Sequence, residues 1–329
     1  MILAGDIGGT KSNLAFFRGA SDAPESVAER SYQNREFTGL AEVVGRFLAD
    51  TGLSAASACF GVAGAVVAGA SHLPNLGWQL SENDLACELG MESVRLLNDL
   101  EANALGIATQ PPEQFFTLNP GQPLAGGNQA LIAAGTGLGM ALLFHDGAEY
   151  RVSASEGGHV DFAARNEEEI RLLRFLAARH GRVSVERVVS GRGLEAIYDF
   201  LKDSGMDEPA GLAARLEAAA DRAATIAQSG ARGEAAICAQ ALEMFLSVYG
   251  AAAGNLALMG LATGGLYIGG GIAPKLIDAL PNSGFMAAFT DKGRFSGLLS
   301  RIPVRVILEP RTALYGAAAH ALRQSVSKP

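Results

Sequence analysis

Asp6 stands two residues ahead of Gly8-Gly9-Thr10, within MILAGDIGGTKSNLAFF at 1–17. Glycines carry no side chain and reach backbone angles barred to other residues, so successive N–H groups there can converge on an oxyanion. A carboxylate beside such a cradle repels phosphate unless a divalent cation, with its water shell, lies between them. The expected guest is a magnesium-bound nucleotide, with Gly8, Gly9, Thr10 and Lys11 at the phosphates and Asp6 reaching Mg2+ through water. The pattern returns in LIAAGTGLGMALLF at 131–144, where Gly135, Thr136 and Gly137 sit between apolar runs. Two such hairpins suggest two halves of related topology facing one nucleotide. A Rossmann fingerprint or a Walker loop needs a helix directly after its glycines. Here Leu14–Phe17 and Met140–Phe144 read as strands instead.

Other polar residues fall where chains change direction. Asn98-Asp99 ends a strand-like run and begins a helical one, a place where α/β proteins line ligand clefts and where either residue could equally cap the helix. The segment 155–162 crowds Glu156, His159 and Asp161 around two glycines. Carboxylates accept hydrogen bonds and an imidazole accepts or donates them, which suits a polyhydroxy compound; no second histidine lies at helical spacing to complete a zinc site. Glu186, in Ser184-Val185-Glu186-Arg187, fits a capping box as it stands. Gly269-Gly270-Gly271 would let a flat apolar ring such as adenine lie on bare backbone, or would serve a close helix crossing.

These residues need an α/β frame. Leu40, Val43, Val44, Phe47 and Leu48 predict an amphipathic helix over 39–50, stopped by Gly52. A strand at 58–67, a helix opened by the capping box Ser81–Asp84 and stopped at Gly90, and a strand at 94–97 follow. Residues 109–130, with four prolines and three glycines, read as a hinge or loop. Asn166–Glu169 caps a helix to about His180, its three glutamates acting as dipole partners. Helices are expected at 191–203, 209–228, 233–259, 275–280 and 312–323, with strands at 265–268 and 303–308. The expected division is a small α/β domain, 1–108 plus 310–329, and a large one, 109–309, with added helices.

Composition narrows the function. With 329 residues, 49% of them hydrophobic, the chain can bury two cores. A net charge of −8 leaves no basic field for nucleic acid. Cys59, Cys87 and Cys238 are widely spaced, which fits a reducing cytoplasm better than a disulfide or zinc framework. No basic leader precedes Asp6, so no signal peptide is expected. Met244–Pro274 lacks any charge, yet its glycines, Asn255 and two tyrosines suit buried core rather than a membrane span.

Taken together, GDIGGT at 5–10, LLNDLEAN at 96–103, AGTGLG at 134–139, EGGHVDF at 156–162, SVERVVSG at 184–191 and GGGIAPK at 269–275 resemble the bacterial glucokinase family. GFMAAFTDKGRFSGLLSRIPV at 284–304 extends the likeness over nearly the whole chain. The resemblance implies an actin-like, ribonuclease H-like sugar kinase fold, two α/β domains closing over ATP and glucose, and a cytoplasmic homodimer. It implies Asp99 as the base that takes the proton of the sugar 6-hydroxyl, with Asn98, Glu156, His159 and Glu186 as glucose contacts. It assigns Gly8, Gly9, Thr10, Gly135, Thr136 and Gly137 to the phosphates and Gly269, Gly270 and Gly271 to the adenosine side. The related ROK kinases carry a cysteine-rich zinc motif that this chain lacks. Lys11 stands where other members often have an uncharged polar residue, and GVAGAVVAGASHLPNLGW at 61–78 matches only loosely. The alternatives that remain are a kinase for another hexose or N-acetylated hexose, and a sugar-sensing regulator.

Overall fold

Two-residue alternation decides the faces of the first sheet. The computed structural model describes residues 1–326. In β1 (Ile2–Ile7), Leu3 and Ile7 enter one apolar layer and Ile2 and Ala4 the other, which puts Asp6 on the second face. β2 (Lys11–Ala20) returns antiparallel, with Asn13 opposite Asp6, and β3 (Ala23–Gln33) forms the edge. α1 (Leu40–Thr51) buries Leu40, Val43, Val44 and Phe47, and ends on Gly52 at φ 65°, as its spacing predicts. β4 (Ser57–Val62) runs parallel to β1. β5 (Val66–Val67), β6 (Ala70–Leu73) and β7 (Trp78–Ser81) make a small separate sheet. The Ser81 hydroxyl then accepts from the Asp84 N–H at 3.4 Å and starts α2 (Glu82–Leu89), which stops on Gly90. β8 (Ser93–Asn98) completes the order β3-β2-β1-β4-β8 and leads straight into α3 (Asp99–Ile107).

The second unit, Phe115–Leu308, begins with a strand where a loop was expected: β9 (Phe115–Asn119) forms one edge of a six-stranded sheet. The prolines of 109–130 flank this strand and do not enter it. β10 (Gln129–Ala134), β11 (Leu138–His145) and β12 (Tyr150–Ser155) form an antiparallel meander. Then come α4 (Glu167–His180), α5 (Gly191–Asp203), α6 (Ala210–Ala218), α7 (Arg222–Ala231) and α8 (Ala236–Gly260). The single helix expected over 209–228 is thus two, because Asp221 starts α7 by accepting from the Ala224 N–H at 2.9 Å. Of the three glutamates opening α4, Glu169 does more than meet the helix dipole. It is 2% exposed and its carboxylate binds Arg165 through backbone and guanidinium.

β13 (Gly265–Gly269) lies parallel to β10. The helix expected over 275–280 is replaced by short 3-10 turns at Ala273–Leu276 and Leu280–Asn282, each holding a proline that cannot donate to a longer helix. α9 (Phe285–Thr290), α10 (Ser296–Leu299) and β14 (Val304–Ile307) finish the sheet in the order β12-β11-β10-β13-β14-β9. α11 (Thr312–Val326) belongs to the first unit, Met1–Gln114 with the chain from Glu309, and packs with α3 over Ile2, Ala4 and Leu97. By length and composition α8 could cross a bilayer, but 72% of its most apolar window is buried inside the second unit. Its Phe245, Tyr249 and Leu256 are core residues there.

Candidate active site

The first glycine turn is held from below by a residue with no signature in the sequence. Asn34 follows β3 and is 1% exposed. Its Nδ2 donates to the Gly8 carbonyl at 2.7 Å, its Oδ1 accepts from the Ser12 hydroxyl at 2.7 Å, and its backbone N–H donates to the Thr10 carbonyl at 2.9 Å. Gly9, Thr10 and Lys11 remain exposed. Gly8 and Gly9 do not use the left-handed backbone region; what they supply is bare surface, with the Asn75 amide lying just beyond Gly9. The one cue that finds Asn34 is register, since Gln33 pairs with Lys11 at the mouth of the turn.

Asp6 and Asp99 belong to the same face of this unit. Asp6 pairs with Gly61 of β4, and a Cβ on Gly61 would stand 2.8 Å from the Ala102 Cβ and 3.9 Å from the Asp99 Cα. The missing side chain lets the first turn of α3 lie directly on the strand. Burial pushes the Asp6 carboxyl above its ordinary value, against a weak bond from Asn13 and the charge of Lys11. Such a carboxylate gains from a cation nearby, and one that arrives with phosphate and water needs no cage; among the described residues no three of His, Cys, Asp and Glu gather as a metal site. At α3 the structure shows which residue is the cap, while the Asp99 Oδ1 also accepts from the Leu100 N–H at 2.9 Å. The Asn98 Oδ1 accepts from the N–H groups of Leu100 and Glu101 at 3.0 and 3.4 Å, and its Nδ2 donates to the Gly64 carbonyl at 3.1 Å. Asn98 is the cap, and Asp99 is the first helical residue.

In the second unit the turn between β10 and β11 meets the two loops expected to bind sugar. The Gly135 N–H donates to the Gly137 carbonyl at 2.8 Å, and the Gly135 carbonyl accepts from Gly191 at the start of α5 at 2.9 Å. The Tyr249 hydroxyl accepts from the Ala134 N–H at 3.2 Å. Glu156 precedes a 3-10 turn, Gly157–His159, and the Glu156 and His159 side chains are exposed, 3.9 Å apart. Asp161 accepts from Arg182 at 2.7 Å, and the same guanidinium donates to the His159 carbonyl. Val185 N–H donates to the Val160 carbonyl and Phe162 N–H to the Val183 carbonyl, so the Glu156–His159 loop and the Glu186 turn are laced together. Glu186 is not a capping-box residue; its Oε2 accepts from the Leu138 N–H at 2.9 Å.

The three glycines after β13 part ways. Gly269 is buried in the sheet beside Ala133. Gly270 takes φ 81° with its Cα against the Ala134 backbone, where a Cβ would be 2.3 Å from the carbonyl. Gly271 alone of the three lines a cavity of about 1070 Å³, together with Gly135, Thr136, Arg192 and Lys275. The break between α6 and α7, residues 219–221, and the first turn of α7, residues 222–224, form another part of its wall, which the alanine-rich sequence does not announce.

Comparison with known proteins follows the same outline. The family model described as Glucokinase matches residues 3–324. A glucokinase of Trichormus variabilis is 42% identical over 342 residues, covering 98% of this chain and 99% of the relative. The crystal structure of a glucokinase from an Antarctic psychrotroph superposes with a TM-score of 0.86 at 31% identity, covering 98% of each chain. A ROK family glucokinase from Streptomyces griseus, solved with glucose and AMPPNP, shares the actin-like sugar kinase fold at 18% identity with a TM-score of 0.66, covering 98% of this chain and 99% of its own. With its turns, capped strand ends and laced loops matched along almost its whole length, the chain belongs to the glucokinase family.

Proposed function

We propose that this protein transfers the γ-phosphate of ATP to the 6-hydroxyl of D-glucose, giving glucose 6-phosphate and ADP. The observation that carries the assignment of the base is the place of Asp99 at the switch from β8 to α3: it is the first helical residue, directly after the Asn98 cap, and its carboxylate, which accepts from the Leu100 N–H at 2.9 Å, can take the hydroxyl proton there. Asn98, Glu156, His159 and Glu186 hold the sugar, their carboxylates and amide matching its hydroxyls as acceptors and donors. Backbone N–H groups at Gly9, Thr10, Thr136 and Gly137 take the phosphates, assisted by the Lys11 charge, while Gly8 and Gly135 spend their own N–H groups on the Lys11 and Gly137 carbonyls and shape the two turns. Gly269, Gly270 and Gly271 shape the adenosine side, next to the cavity that Gly271 lines. Asp6 would hold Mg2+ through water, and the ion would supply neutralisation of charge on the phosphates. Phosphoryl transfer asks mainly for alignment and for positive charge or N–H groups around the moving phosphate, which these residues supply.

The protein is further proposed to work as a cytoplasmic homodimer, in keeping with what the family resemblance implies. The second reading, a kinase for another hexose or N-acetylated hexose, differs only in a few hydroxyl contacts. A matrix of donors (ATP, ADP, polyphosphate) against sugars (glucose, fructose, mannose, N-acetylmannosamine), read by product formation, decides between them. Glucose with ATP is expected to give the highest kcat/KM, and a better pair would replace it.

A further inference from the structure

Leu138 is the first residue after the Gly135–Gly137 turn, and both sugar loops close on its backbone. Its N–H is held by Glu186 Oε2 at 2.9 Å. On its other side Gly158, inside the Glu156–His159 loop, lies so close that an added Cβ would stand 1.9 Å from the Leu138 carbonyl oxygen. Gly137 meets the same carboxylate: a Cβ there would be 2.6 Å from Glu186 Oε2. Glu186 itself is fixed by its turn, whose end is tied by the Ser190 hydroxyl donating to the Glu186 carbonyl at 2.8 Å.

One oxygen of this carboxylate is thus committed to the phosphate turn, and the other, Oε1, takes no hydrogen bond among the described residues. We infer that Glu186 is a positioning residue for the nucleotide as well as a sugar contact: by holding the Leu138 N–H it sets the Gly135–Gly137 turn in the form that receives phosphate. The inference rests on the proposed reading of that turn as a phosphate site and of Glu186 as a sugar contact. It goes further in tying the two ligands to opposite oxygens of one side chain. A hydrogen bond to a charged acceptor inside a protein is among the stronger ones, and a turn that loses it also loses its single arrangement. Sugar binding at Oε1 and order at the phosphate turn then depend on each other.

The test is affinity for Mg-AMPPNP without sugar, measured by calorimetry on the full chain, beside the glucose KM. Glu186→Ala is expected to weaken sugar-free nucleotide binding about tenfold, the scale of one charged hydrogen bond. Glu186→Gln, which keeps an acceptor for the Leu138 N–H, should recover most of that affinity while its glucose KM stays raised. Gly137→Ala, which crowds Oε2 and leaves the carboxylate in place, should weaken the nucleotide in the same direction. Wild-type nucleotide affinity in Glu186→Ala overturns the inference, as does failure of Glu186→Gln to recover it in a protein with the wild-type melting curve. A glucose KM that Glu186→Ala leaves unchanged would instead remove Glu186 from the sugar site, a separate result from the nucleotide one.

Discussion

The two glycine turns have similar sequences and unlike supports. The Gly8–Thr10 turn rests on Asn34, a buried neutral amide whose polar atoms are all spent on the turn and on Ser12. The Gly135–Gly137 turn rests on Glu186, a charged side chain only partly buried, and on the Tyr249 hydroxyl. A neutral, enclosed brace can only hold. A charged brace within reach of a ligand can hold and also respond. Under the inference drawn for Glu186, one backbone motif would serve as fixed scaffold in the first unit and as a ligand-linked part in the second.

The largest expected effect comes from Asp99, at the start of α3. Asp99→Ala should lower kcat by about 10² to 10⁴, the range for removing a general base. Its sugar-free nucleotide affinity should stay near wild type, because Asn98 still caps α3 and holds its first turn in place. Steady-state kinetics and nucleotide titration read both. A variant that loses nucleotide affinity as well would tie α3 to the phosphate turn and erase the contrast.

That contrast is only half visible in the sequence, and range explains which half. Ser81, Gly52 and Gly90 act within four residues of themselves, and their caps are legible before any fold is known. Asn98 and Asp99 are legible as a pair, but which one caps depends on the Gly64 carbonyl reaching Asn98 from another loop. Asn34 has side-chain partners 22 and 26 positions away, and Glu186 grips a residue 48 positions away; no local pattern marks either role. The alanine-rich run 209–228 shows the opposite failure. Its helix propensity is high throughout, and the break that walls the cavity is set by the local cap at Asp221. β9 hides among prolines because its signal is five residues long while the turn signals around it are stronger.

Asn34→Ala tests the scaffold side of the comparison. It strands the Gly8 carbonyl and the Ser12 hydroxyl, each buried or partly so, and is expected to destabilise the protein by about 1 to 3 kcal/mol in urea melts. Because the Asn34 side chain bonds only to Gly8 and Ser12 among the described residues, nucleotide affinity should fall equally with and without glucose. A loss that glucose repairs would mean that the first turn is ligand-linked too, and the two supports would no longer differ in kind.

The smallest effect sharpens what the carboxylates are for. Glu186 is a carboxylate that braces; Asp6, beside the other turn, is one that burial disfavours in its charged form, so its folded pKa lies above the ordinary 3.8. A carboxyl raised on folding stabilises the folded state while protonated, and that contribution is lost as pH rises through the raised value. At neutral pH the burial of Asp6 is therefore a cost to stability, one that the proposed cation would offset when bound. Asp6→Asn removes the charge and leaves Asn13 an oxygen to donate to. Its melting temperature at neutral pH should equal or exceed wild type, with the difference shrinking as pH falls toward 3.8, while Mg-ATP turnover drops. A variant less stable than wild type at neutral pH would make Asp6 a brace like Glu186, and charge would then support both turns.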